Sequence, residues 1–161
     1  MLRNIFLICS CLFLFARCSS AEVFENTGDT LINDKNSPTS SMEKQVVEIV
    51  NAERKKQNLT PLSIDESLMK SCDVRVKELV EKFSHTRPDG STCYTSIEID
   101  YNAAAENIAY GQNSAQAVMT GWMNSEGHRN NILSDKYTHI GVGCYENDNR
   151  LYWVQLFIRK K

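Results

Sequence analysis

Several features common in metal and phosphate enzymes are missing from this chain. No CxxC pair occurs and the cysteines are widely spaced, which argues against a structural zinc site. No HExxH occurs, which excludes a protease site carried by one helix. The only glycine-rich run, "IGVG", is not followed by a helical pattern, so it is not a phosphate-cradling loop. Basic residues form no stripe interleaved with aromatics, so nucleic acid is excluded as a partner. The one basic cluster, Arg54, Lys55 and Lys56 in "ERKKQ", reads as the solvated face of a helix. No internal repeat is visible. The longest charge-free apolar run, Ile5 to Phe15, falls short of the ~20 residues a membrane-spanning helix needs. No transmembrane anchor is expected.

What that run does fit is a leader. "MLRNIFLICSCLFLFARCSSAE" places a basic residue, Arg3, before an apolar stretch, with the small residues Ser19 and Ala21 ahead of a cut before Glu22. Residues 1–21 are therefore read as a signal peptide and the mature protein as secreted. Lipid anchoring is the competing reading, since Cys9, Cys11 and Cys18 all lie within reach. Arg17 fits poorly before an acylated Cys18 and Cys11 leaves too short an apolar core, so soluble secretion is preferred. Losing Arg3 and Arg17 takes two positive charges from a chain of formal net charge −2, leaving −4. Three cysteines remain, Cys72, Cys93 and Cys144, so at most one intrachain disulfide can form. The pairing is open, and Cys72 on an apolar helical face also reads as a buried thiol.

Residues 22–41, "EVFENTGDTLINDKNSPTSS", lack periodicity and read as a flexible linker. The remainder, 42–161, is enough for one core and too short for two typical domains. Ser41 is expected to cap a helix over "MEKQVVEIVNAERKKQN", with Val46, Ile49, Val50 and Glu53 at helical spacing. A capping box, Ser63-x-x-Glu66, is expected to open a second helix whose stripe is Leu68, Cys72, Val76 and Leu79. "FSHTRPDGSTCYTSI" breaks the pattern and places His85 at a helix end or loop. Ser114 caps a third helix through "AQAVMTGWM", and "EGHRNNIL" suits a short fourth. "HIGVGCY" and "LYWVQLFI" read as strands joined by the polar "ENDNR". Helices followed by a hairpin-like pair give an α+β domain.

Six blocks then occur in a fixed order: "VNAERKKQNLTPLSID", "FSHTRPDGSTCYTSI", "AENIAYG", "WMNSEGHRNNIL", "THIGVG" and "YWVQLF". Together they resemble bacterial members of the CAP superfamily, which takes in cysteine-rich secretory proteins, antigen 5 and pathogenesis-related proteins. The resemblance covers residues 43 to 158. It implies an α-β-α sandwich, with helices on both faces of a central antiparallel sheet, and a cleft lined in many members by two His and two Glu. Matched motif by motif, the first histidine is His85, the first carboxylate Glu106 and the second histidine His128. The second acidic position is open: the family offset from Trp122 falls on Ser125, and Glu126 stands one residue further on.

Such a set suits a borderline divalent cation such as zinc, held by His85 and His128, with a carboxylate orienting a ring or accepting a proton from bound water. Each residue also has a plainer reading. His85 beside Ser84 and Thr86 could be a hydrogen-bonded loop histidine, Glu106 could brace a turn, and His139 belongs to a strand edge. Ser125 and His128 are three apart, but neither an orienting group nor an oxyanion turn accompanies them. The preferred function is a secreted binding module whose cleft takes a cation and a small apolar or peptide ligand, with no assured catalysis. A metal-assisted hydrolase using Glu106 or Glu126 as base is the alternative, and a purely structural or adhesive domain is the third reading.

Overall fold

The computed structural model describes residues 41–161; the expected leader and nearly all of the expected linker lie outside the described residues, as does the Ser41 side chain. Four helices, a short 3-10 turn and four strands follow in the order α1 (Ser41–Lys56), β1 (Ser63–Ile64), α2 (Glu66–Glu81), the 3-10 turn (Cys93–Ser96), β2 (Tyr101–Tyr110), α3 (Ala115–Asn124), α4 (Glu126–Ile132), β3 (His139–Asn147) and β4 (Arg150–Lys160). The sheet runs β1-β3-β4-β2. Its main pairings, β3 with β4 and β2 with β4, are antiparallel, while the two-residue β1 adds to β3 in parallel.

Alternation along β4 separates the two sides of the sandwich. Trp153 and Phe157 face one way, into a core with Val46 and Val50 of α1, Val118, Met119 and Trp122 of α3 and Ile132 of α4. Val154, Leu156 and Ile158 face the other way, against Leu68, Cys72, Val76 and Leu79 of α2. The expected α2 stripe is thus the buried one. The α2 side is unusually close. A Cβ on Gly141 would meet the Leu68 backbone at 2.7 Å and one on Gly143 the Cys72 carbonyl at 2.8 Å, so the "IGVG" glycines let a helix lie directly on strand backbone.

Two local expectations are corrected, and one strand is added. The cap of α2 is Asp65, whose carboxylate accepts from Leu68 N at 2.9 Å, while Ser63 is taken up in β1. Arg54 is not solvated: it is 1 % exposed and donates to the carbonyls of Thr60, Ile132 and Ser134. The ten-residue β2 was not foreseen. The Ser114 cap, accepting from Ala117 N at 3.2 Å, and strands β3 and β4 agree, while the Ser41 cap lies outside the described side chains. "ENDNR" tightens to a hairpin in which Asp148 and Asn149 adopt positive φ (49° and 58°), the twist a two-residue hairpin turn favours. Cys72, Cys93 and Cys144 are all free thiols.

Candidate functional site

β2 is an edge strand, and its alternation sends neighbouring residues into opposite layers. Glu106 points toward α2 and Asn107 toward α4. The Glu106 side chain is 1 % exposed and a buried carboxylate needs partners. Arg75 of α2, itself fully buried, supplies two: Nε donates to Oε2 at 2.9 Å and Nη2 to Oε1 at 3.3 Å. The same guanidinium donates to Glu78 at 2.7 Å and to the Ser84 carbonyl at 2.9 Å. Arg87 reaches Glu78 at 2.6 Å. Two cations and two carboxylates therefore alternate from the surface to β2.

His85 ends that chain. The loop carrying it is held by a turn at Arg87–Ser91, where Gly90 takes φ +88°, and by Cys93 N donating to the His85 carbonyl at 2.9 Å. His85 Nδ1 lies 2.8 Å from Glu106 Oε1, while the side chain stays 59 % exposed. The hydrogen bond to Glu106 raises the His85 pKa above its ordinary 6.5, against a smaller opposing effect of burial. One ring nitrogen is thus fixed by a buried carboxylate, and Nε2 has no partner among the described residues.

His128 comes from the opposite layer. Its carbonyl accepts from Asn107 Nδ2 at 3.1 Å, and Asn107 is in turn held by Asn131 at 2.8 Å and by the Gln155 side chain at 3.0 Å. Burial lowers the His128 pKa, and nearby His85 adds to the lowering. Ser125 caps α4 without a side-chain cap bond and lines one hollow with His128; no hydrogen bond joins the two among the described residues. Glu126 sits exposed in the first turn of α4. His139 opens β3, as its sequence position suggests.

Two hollows follow the edge of β2. One, of about 470 Å3, is lined by His85, Cys93, Tyr94, Ala104, Glu106, Asn131 and Tyr137 among others. The other, of about 270 Å3, runs past Phe83, Ile108, Tyr110, Trp122, Ser125 and His128. A more enclosed depression of about 370 Å3 at Arg54 and His139 lies on the β1 side, away from this chemistry.

Among the described residues, His85, Cys93 and Glu106 form a group that could hold a metal ion, their ligand atoms all within 4.8 Å of one another. His128 is not part of it. The donors suit a borderline cation. Two features oppose tight binding. Arg75 already places a positive charge on Glu106, and burial with the neighbouring carboxylate pushes the Cys93 thiol up to about 12, so its proton is lost only with difficulty. Cys93, Arg75, Asn107 and Asn131 were not singled out in the sequence. Arg75 alone carried a signal there, as a charge standing within the apolar stripe of α2.

A family model described as CAP, cysteine-rich secretory protein family, matches residues 47–157. The chain belongs to the CAP family. YkwD of Bacillus subtilis, an uncharacterised protein, is 46 % identical over 129 residues, covering 77 % of this chain and 49 % of its own length. An extracellular SCP-domain protein of Bacillus anthracis shares 32 % identity at TM-score 0.67, over 73 % of this chain and 40 % of that one. An outer surface protein of Borrelia burgdorferi shares 28 % identity at TM-score 0.68, over 73 % of this chain and 92 % of its own. More distant neighbours, one of them solved with Zn2+ at 14 % identity and TM-score 0.58, share the CAP fold alone. The chain spans half or less of the length of the curated relatives it matches.

Proposed function

We propose that this CAP domain, residues 42–161, works outside the cytoplasm as a binding module, delivered by a leader over residues 1–21. The cleft along β2 takes a small apolar or peptide ligand, and His85, with His128 from the facing layer, gives it the capacity to hold a divalent cation such as zinc. The observation that favours binding over turnover is the state of Glu106. Its carboxylate carries two bonds from Arg75 and one to His85, so it orients the imidazole rather than waiting for a proton from water. Glu126 is exposed in the first turn of α4 and has no hydrogen bond or ion pair to another side chain among the described residues.

Calorimetric titration of the protein with Zn2+, beside His85→Ala and His128→Ala, tests the cation capacity. Stoichiometric binding weakened in both variants supports it; a parent that takes up no zinc retires the cation and leaves a metal-free cleft. One observation keeps the hydrolase reading in play: an imidazole fixed at Nδ1 by a buried carboxylate is a competent general base wherever its other nitrogen is not taken by a cation. His85→Ala and Glu106→Gln, which remove the base and the carboxylate that orients it, then abolish hydrolysis of a peptide or ester library. A library left uncut by the parent rejects that reading.

A further inference from the structure

The floor of the cleft is strand backbone. Leu151 O bonds Gly111 N beyond the end of β2, and Ile158 O bonds Thr138 N on the β3 side, so odd residues of β4 serve β2 and even ones serve β3. Through the register Ala105↔Phe157, Asn107↔Gln155 and Ala109↔Trp153, the odd residues of β2 are the ones bonded to β4. The even ones, Ala104, Glu106 and Ile108, direct their N–H and C=O groups outward. This edge lies at the floor of the cleft, where Glu106 and Ile108 keep 5 % and 8 % exposure, and two of its groups are covered. Trp122 Nε1 donates to Ile108 O at 3.3 Å, and Asn131 Nδ2 makes a long contact of 3.5 Å to Glu106 O. The N–H groups of Ala104, Glu106 and Ile108 and the C=O of Ala104 have no partner among the described residues.

These free groups lie where both hollows open. Ala104, Ala105 and Glu106 line the larger one, and Ile108, Ala109 and Tyr110 the smaller. The run Ala103–Ala105 presents only methyl groups beside the edge, so another backbone can come close. Gln112, whose Oε1 is the one buried side-chain polar atom left without a partner among the described residues, lines the smaller hollow with Phe83, Ile108, Val118 and Trp122. A row of unpaired main-chain donors beside a recess with an apolar side, Phe83, Ile108, Val118 and Trp122, and a polar one, Gln112, Ser125 and His128, matches an extended polypeptide, whose own backbone supplies alternating acceptors and donors and whose side chains alternate above and below.

We infer that the cleft recognises an extended peptide segment by strand addition to the outer edge of β2 at Ala104–Ile108, with an apolar side chain seated in the Phe83–Trp122 hollow. This rests on the binding-module reading and specifies its ligand class. Main-chain pairing supplies affinity, and the recess selects the side chain.

The probe is a phage-displayed library of random decapeptides selected on the immobilised protein, followed by amide exchange measured by NMR with the enriched peptide. Exchange at Glu106 and Ile108 slows at least tenfold on binding. N-methylation of the peptide at one set of alternate residues raises Kd at least tenfold, and at the other set changes it little. Ala104→Pro, which removes an outward N–H without touching the β2–β4 ladder, weakens binding comparably. The N-methyl pair reads the same bonds from the ligand side should that variant fold poorly. Enrichment of no peptide, equal effects of the two methylated sets, or a bound peptide that leaves these amides unprotected overturns strand addition. A peptide that binds elsewhere in a His85-dependent way, or zinc uptake without any peptide, overturns it while leaving the binding module standing.

Discussion

The two faces of the sheet are built differently. Toward α1, α3 and α4 the layer is filled by large side chains, Trp122, Trp153 and Phe157 among them. Toward α2 the helix rests on Gly141 and Gly143, and the same layer buries the ion pair Arg75–Glu106. One face is held by volume and the other by close approach and charge. His85 belongs to the charged face and His128 to the packed one, which is why one imidazole has its pKa raised by a carboxylate and the other has its lowered by burial. The cleft opens at the β2 edge, where the faces meet.

Breaking the charged face should have the largest effect. Arg75→Leu leaves Glu106 buried without its cation and is expected to destabilise by about 3–5 kcal/mol in urea unfolding. Arg75→Leu with Glu106→Leu removes both charges and recovers much of that loss; a double variant no more stable than the single one means the pair matters through shape rather than charge. Next comes Gly141→Ala, whose methyl collides with helix backbone and cannot be relieved by a rotamer change, at about 1–3 kcal/mol. Asp65→Ala, which uncaps α2, costs about 1 kcal/mol.

The smallest effect sharpens the contrast between the histidines. NMR titration should place His85 above 6.5 and His128 below it, with Glu106→Gln bringing His85 down. The His85 contribution to stability is complete below pH 6.5 and is lost as pH rises through its raised folded pKa. For His128 the sign reverses: stability is complete above 6.5 and falls as pH drops through the lowered folded pKa. At an exposed ring the His85 part is screened and modest. A His85 that titrates at or below 6.5 contradicts the hydrogen bond to Glu106.

What the sequence disclosed follows the same division. Helices α1 to α3 were legible because each buries one stripe, and β3 and β4 because branched and aromatic residues concentrate there, while the short α4 buries Ile132 alone. β2 was hidden: "YNAAAENIAY" is rich in alanine and sends a Glu and an Asn into opposite layers, so neither alternation nor strand propensity marks it. Arg54 misled because two exposed lysines follow it, while its partners Ile132 and Ser134 lie nearly eighty residues away. His85, Glu106 and His128 came from the resemblance to CAP proteins. Arg75, Asn107 and Asn131, which hold the first two in place or anchor α4 to β2, lie outside the residues that resemblance singled out.

The strand order has a consequence for the timing of folding. β4 follows β2 and β3 in the chain yet lies between them, so until β4 is made β2 has no strand to pair with and β3 has only the two-residue β1. A chain assembled in that sequence has two strands waiting for a third and contacts of long sequence separation to close, which slows collapse into the native sheet.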